Sequence, residues 1–156
     1  MKNLICVFAA ALLICGSAFA QDAKDLPAKV KAAFEKKFPA AQKVKWGKEN
    51  ATEWEAEFTM NNTTYSANFN AEGNWLETEY AIGEKDIPAA ITKTLAKEFP
   101  GYKISVSEIS ETIKGKIYEF DLKSGVNKKE VAVNADGTMV KKDAREKEEE
   151  EKEDKH

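Results

Sequence analysis

The chain repeats itself, and that repeat limits its fold more than any other feature. DLPAKVKAAFEKKFP, beginning at Asp25, matches DIPAAITKTLAKEFP, beginning at Asp86. Leu26, Val30, Phe34 and Phe38 recur every four residues in the first copy, and Ile87, Ile91, Leu95 and Phe99 hold the same positions in the second. Apolar residues at that spacing make one stripe along an α-helix. Each copy places an Asp ahead of the helix, where its charge suits the macrodipole, a Pro in the first turn and a Phe-Pro at the end. Helices of about eleven residues are marginal alone in water. Each must therefore dock its apolar stripe on the chain next to it.

Downstream of each helix the chain is strand-like. KVKW, EWEAEFTM, TYSANFN and NWLETEY are rich in β-branched and aromatic residues, and Gly47-Lys48-Glu49-Asn50, Asn61-Asn62 and Glu72-Gly73 separate them. In the second copy ISVSEI, KIYEFDL, KKEVAVN and TMVKK are separated by Lys114-Gly115, Ser124-Gly125 and Asp136-Gly137. Each set predicts four strands joined by hairpin turns. The match continues, with Trp54-Glu55 aligned to Tyr118-Glu119 and Asn70-Ala71-Glu72-Gly73 to Asn134-Ala135-Asp136-Gly137. The second copy carries a three-residue insertion between its helix and second strand, an exposed connection where insertions are tolerated. The expected fold is α+β: two tandem repeats, over residues 21–83 and 84–142, each one helix and a four-stranded antiparallel meander.

Successive side chains of a strand point to opposite faces of the sheet. Trp54, Ala56, Phe58 and Met60 thus share a face, expected to be core, and Glu53, Glu55, Glu57 and Thr59 the other. The same alternation turns Val44, Trp46, Tyr65, Ala67, Phe69, Leu76 and Tyr80 toward the helix, and Lys45, Ser66, Asn68, Glu77 and Glu79 away from it. In the second copy Tyr118, Phe120, Leu122, Val131, Val133 and Val140 are expected inward. Strict alternation leaves two large apolar groups on the polar face, Trp75 and the aligned Met139, each at the start of a fourth strand. Exposed apolar groups at repeated positions are candidate partner contacts. A bulge at that point would instead move both to the other face. The candidate contact set is Trp75, Met139, Glu53, Glu55, Glu57 and Asn68.

The ends of the chain are of another character. MKNLICVFAAALLICGSAFA has a basic start, an apolar run and Ala18-Phe19-Ala20 before polar residues, the pattern of a secretory signal peptide over residues 1–20 cleaved near Ala20. The run is at the short end of what a bilayer span needs and no basic stop-transfer cluster comes after it, so no membrane span is expected in the mature chain. Cys6 and Cys15 both fall in this segment, leaving the mature chain without a thiol or disulfide. Lipid modification at Cys15 is disfavoured by the bulky Ile14 before it. Residues 143–156 carry no apolar side chain larger than Ala144, and read as a charged, disordered tail.

Chemistry is more easily excluded than named. The only imidazole is His156, at the end of that tail, so neither a hydrolytic triad nor a histidine metal site is expected. Glu53, Glu55 and Glu57 line one face at strand spacing, which reads as a solvated acidic row before it reads as a glycosidase pair. No phosphate loop, calcium loop or nucleophile elbow is present. The Asn-X-Thr triplets at Asn50, Asn61 and Asn62 are read as turn chemistry. With 24 Lys and Arg against 27 Asp and Glu, a net of −3, the chain lacks the basic excess of a nucleic-acid binder. No catalytic residue, cofactor or metal ligand is expected.

The Asp-[Leu/Ile]-Pro helix start, the Phe-Pro after it, the Trp/Tyr-Glu second strand and the Asn-Ala-[Glu/Asp]-Gly hairpin, twice over behind a signal peptide, resemble the bacterial PepSY-like family, described as putative beta-lactamase-inhibitor-like. The resemblance spans Leu26 to Lys142. It implies a periplasmic or secreted, non-catalytic domain of two tandem units, with relatives that act as inhibitors or protein-binding modules. In the beta-lactamase inhibitor protein the binding surface is the exposed face of the joined sheets. By this resemblance the partner is an envelope or extracellular protein or peptide, met through the exposed sheet face. The alternative is a small-ligand carrier, with a cavity between helix and sheet lined by Trp46, Trp54, Phe58 and Tyr65.

Overall fold

A computed structural model describes residues 25–140. The expected signal peptide, the charged tail, and Lys141 and Lys142 of the expected eighth strand lie outside the described residues. The described elements are α1 (Ala28–Lys37), β1 (Gln42–Lys48), β2 (Glu53–Met60), β3 (Thr63–Asn70), β4 (Trp75–Ala81), α2 (Ala89–Glu98), β5 (Lys103–Thr112), β6 (Gly115–Ser124) and β7 (Asn127–Asn134), with a short 3₁₀ turn at Glu84–Asp86 before α2. The strands form one antiparallel sheet in sequence order, β1 to β7. Pairing of β4 with β5, Tyr80 opposite Ile109, joins what the sequence presents as two meanders into a continuous surface.

Both helices begin where the sequence indicates. Pro27 and Pro88 are the N-caps, each lending its carbonyl to the first helical amides, and Phe38 and Phe99 close the C-termini through backbone bonds to Phe34 and Leu95. The proline fixes the entry dihedral and supplies no N–H, which the first turn has no use for. Asn61 and Asn62, both at positive φ, make the two-residue turn between β2 and β3, the primed geometry that matches strand twist.

The two helices lie on the same side of the sheet. Val30 and Phe34 of α1 pack on Trp54, Ala56, Phe58, Ala67 and Phe69, and Ile91 and Leu95 of α2 on Phe120, Leu122 and Val133. Strand register connects the two clusters in one row, Tyr65 to Tyr80 to Ile109 to Tyr118 to Val133. The first cluster is aromatic: Phe58 sits 5.1 Å from Phe34, 4.7 Å from Phe38 and 5.5 Å from Tyr65, ring centre to ring centre. Such contacts add about 0.5–1.5 kcal/mol each to the burial itself.

Three expectations need correction. The second unit has three full strands, not four: TMVKK contributes an isolated bridge from Met139 to Val133 and a bond from the Val140 amide to the Ala132 carbonyl within the described residues. Gly47 and Lys48, expected in a turn, are the last residues of β1. Finally, Trp75 and Met139 are on the helix side. Opposite Asn68 and Phe69, β4 steps from Glu77 to Trp75, so Leu76 is the extra residue of a bulge and the alternation changes phase there. Trp75 therefore joins the α1 cluster and Met139 the α2 cluster, in place of the Leu76 and Val140 that strict alternation puts there.

The same turn precedes both shifts. The Gly73 amide bonds to the Asn70 carbonyl and the Gly137 amide to the Asn134 carbonyl. Both glycines have positive φ, and a Cβ on either would stand 2.7 Å from the Lys29 carbonyl oxygen or 2.8 Å from that of Ala90. The Asn-Ala-[Glu/Asp]-Gly motif thus seats the last hairpin of each unit directly against its helix, which glycine alone permits.

Candidate functional site

The helices cover one face of the sheet and leave the other without a described helix over it. Register assigns its side chains. Glu53, Glu55 and Glu57 of β2 lie across from Asn70, Asn68 and Ser66 of β3. Asn68 and Ser66 lie across from Glu77 and Glu79 of β4, and these from Thr112 and Ser110 of β5, with Glu108 next along that strand. Glu108 is paired with Glu119 of β6, and Asp121 comes next on that strand, opposite Glu130 of β7. Four of the six candidate contacts, Glu53, Glu55, Glu57 and Asn68, therefore belong to this open face. Trp75 and Met139 do not.

Trp75 is held by its surroundings on the other side. Its indole Nε1 donates to Thr78 Oγ1 at 2.8 Å, and the Lys37 ammonium of α1 stands 3.5 Å above its ring. It closes the edge of the core under the end of α1.

The open face is polar but not uniformly wet. Glu77, Glu108 and Ser110 are only 8%, 9% and 0% exposed, although no described helix covers them. Flanking side chains on neighbouring strands supply the burial. Ser110 donates its hydroxyl to Glu77, and Ser66 donates to Glu79 at 3.5 Å. The carboxyls respond electrostatically. Burial, then the charges of Glu49 and Glu57, push Glu55 up to about 7, against a lowering hydrogen bond from Ser66. Burial, then Glu77, Glu119, Glu108 and Glu55, push Glu79 up to about 9. Burial raises Glu77 despite its bond from Ser110, and burial with Asp121 raises Glu108. Desolvation and like charge both disfavour the ionised form, so they act in the same direction here.

A carboxyl titrating near neutrality is the kind of group that acid–base catalysis employs. These are spread over β2, β4 and β5 as an acidic surface, rather than brought together as one pair. Among the described residues no three His, Cys, Asp or Glu side chains are grouped so as to hold a metal ion. The interior that a carrier would need is occupied: Trp54 and Phe58 are 5% and 1% exposed, and the rings around them are in contact. A groove of about 250 Å³ does lie at the sheet edge, between α1 and β1, lined by Phe34, Phe38, Ala41, Val44 and Trp46.

Sequence reasoning placed Glu77 and Glu79 on this face but missed Glu108 and Ser110. Their signal was present as the polar residues on either side of Ile109 in Glu108-Ile109-Ser110.

A helix-backed antiparallel sheet with one open polar face defines a class of small α+β surface-presenting domains. The PepSY-like family, described as putative beta-lactamase-inhibitor-like, matches residues 52–141, and the chain belongs to it. Solved structures share the fold. A DUF2874 family protein from Bacteroides ovatus superposes with TM-score 0.68 at 20% identity, covering 74% of this chain and 84% of that one. A BLIP-like protein from Bacteroides fragilis gives 0.65 at 18%, covering 75% and 85%. A protein from Bacteroides eggerthii, described as putative periplasmic, gives 0.68 at 18%, covering 74% and 86%. No curated protein matches the chain.

Proposed function

We propose that the chain is an exported, non-catalytic binding module that meets a protein or peptide of the envelope or the extracellular space through its open sheet face. The observation that carries the reading is that face itself: polar side chains from neighbouring strands on one continuous surface, with both helices on the other side. A sheet face that serves only solubility has no reason to keep carboxylates poorly solvated. Membership of an inhibitor-like family supports a protein partner, and the description of the Bacteroides eggerthii structure supports an envelope location. The signal-peptide pattern over residues 1–20 agrees with export. No described helix is long and apolar enough to cross a membrane. The division into units 21–83 and 84–142 belongs to the same proposal.

Site-specific photo-cross-linking tests the surface. A cross-linker at Asn68, on the open face, is expected to give discrete adducts in native envelope preparations, and one at Lys93, on exposed α2, to give none. Adducts from Lys93 with none from Asn68 would overturn the proposal.

A further inference from the structure

We propose that the outer edge of β1 is a second docking site, separate from the open face, and that it takes an extended segment of another protein, laid antiparallel to β1, in which apolar and acidic side chains alternate.

The two outer strands of the sheet are not alike. Beyond β7 the Val140 amide donates to the Ala132 carbonyl and Met139 bridges to Val133, so that edge is partly closed. β1 has β2 on one side and, among the described residues, no strand on the other. The Glu49 amide donates to the Glu53 carbonyl, so Gly47 and Lys45, at alternate positions before it, also bond toward β2. Trp46 and Lys48 then direct their amides and carbonyls outward, where no described group meets them.

The repeat displays what such an edge accepts. Trp54 aligns with Tyr118, and their partners across the strand pair are Lys48 and Ile109, so β5 is the counterpart of β1, with Ser107 in the place of Trp46. On β5 the edge is filled. The Ser107 carbonyl accepts from the Ile82 amide, the Ser107 hydroxyl donates to the Ile82 carbonyl at 2.8 Å, and Tyr80 of β4 stands opposite Ile109. The segment that fills it, Glu77-Thr78-Glu79-Tyr80-Ala81-Ile82, is extended and antiparallel to β5, and has acids at alternate positions. No described segment takes that part for β1.

Side chains around the edge select the occupant. Val44 and Trp46, with Phe34, Phe38 and Ala41, line the groove of about 250 Å³ between α1 and β1, and Val44 is exposed there. An added strand turns every second side chain to that side of the sheet. The side chains between them fall on the open side with Lys45, which stands across from Glu57, and Lys43 and Lys48 belong to the same strand. Among the described residues none of these three lysines forms an ion pair. Apolar side chains toward the groove and acidic ones toward the lysines are therefore the complement of this edge. A second copy is disfavoured, because β1 against β1, or Thr138-Met139-Val140-Lys141-Lys142 against β1, sets lysine beside lysine, the device by which edge strands resist pairing with themselves. Residues 143–156 supply acids, but nothing larger than Ala144 for the groove.

Amide hydrogen exchange of the full chain provides the test, with and without a seven-residue acetylated and amidated peptide of alternating Glu and Val. Exchange at Trp46 and Lys48 is expected to slow about tenfold or more at saturation, because their outward amides become hydrogen-bonded. Anisotropy of the labelled peptide is expected to show binding that Val44→Glu weakens about fivefold or more, and an alternating Lys and Val peptide is expected to bind at least about tenfold more weakly. Should Val44→Glu fail to fold, Lys45→Glu, at an exposed position on the open side, is expected to weaken binding about threefold to tenfold at low salt. No binding below ~1 mM peptide overturns the proposal. So do unchanged exchange at Trp46 and Lys48, unchanged affinity in the folded variant, equal affinity for the lysine peptide, and a dimer of the chain alone in which those two amides are already protected. Cross-linking from Asn68 reads the open face and is independent of each of these results.

Discussion

On the helix side of the sheet, buried side chains have partners. Phe58 is ringed by Phe34, Phe38 and Tyr65, and Trp75 is hydrogen-bonded to Thr78 and capped by Lys37. On the open side, Glu77 and Glu108 are 8% and 9% exposed with only neighbouring strands around them, and Glu79 is surrounded by other carboxyls. The two faces are built from the same strands with opposite energetics. One face stabilises the fold through packing, and the other reduces that stability by holding carboxyls in a poorly solvated place that disfavours their ionisation. This difference is the physical ground for the proposal that the open face binds, because functional surfaces are where chains retain arrangements that folding alone disfavours.

Substitutions on the two faces should therefore differ in sign. The largest effect is expected from Phe58→Ala, which empties the centre of the aromatic cluster and should cost about 3–5 kcal/mol in urea unfolding. Gly73→Ala comes next, at about 2 kcal/mol or more, because it combines a positive φ with an approach to the Lys29 carbonyl. Gly125→Ala, at positive φ in open space, should cost about 1 kcal/mol. On the open face, Glu79→Gln should stabilise the protein by about 1 kcal/mol at pH 8, a figure reduced for screening by nearby solvent. Thermal or urea unfolding checks the sign, and destabilisation would erase the contrast between the faces. Lys37→Ala is the finest probe, expected to cost about 0.5–1 kcal/mol through loss of its contact with Trp75. No loss there would weaken the placement of Trp75 on the helix side.

The fold was legible wherever one period ran without interruption. Val30, Phe34, Ile91 and Leu95 announced two helices, and Trp54, Ala56 and Phe58 announced a core-facing strand. Alternation failed at Trp75 because a bulge adds one residue, and Trp75-Leu76 and Met139-Val140 each offer two adjacent apolar residues that fit either phase. The acidic row on β2 could be read directly. Its continuation to Glu77 and Glu79 lies within the first unit, but the extension to Glu108 and Asp121 depends on β4 pairing with β5, a contact between the two units that neither repeat encodes within itself. Burial of those carboxyls likewise arises from neighbouring strands and has no signature in the spacing of any one strand.

The pH dependence of folding stability tests this account most directly. Glu79 and Glu55 have folded-state pKa values raised to about 9 and about 7 from an ordinary value of 4.5. Below that ordinary value both states hold the proton and these groups leave stability unaffected. Above it the unfolded chain ionises first and the folded chain retains more protons, so stability declines as pH rises, by up to about 1.4 kcal/mol per pH unit for each proton retained. Urea unfolding at intervals from pH 5 to pH 8 should show that decline in the wild-type chain and a shallower one in Glu79→Gln. A stability that stays level or rises across that range would contradict the claim that the open face holds carboxyls in a state the fold itself disfavours.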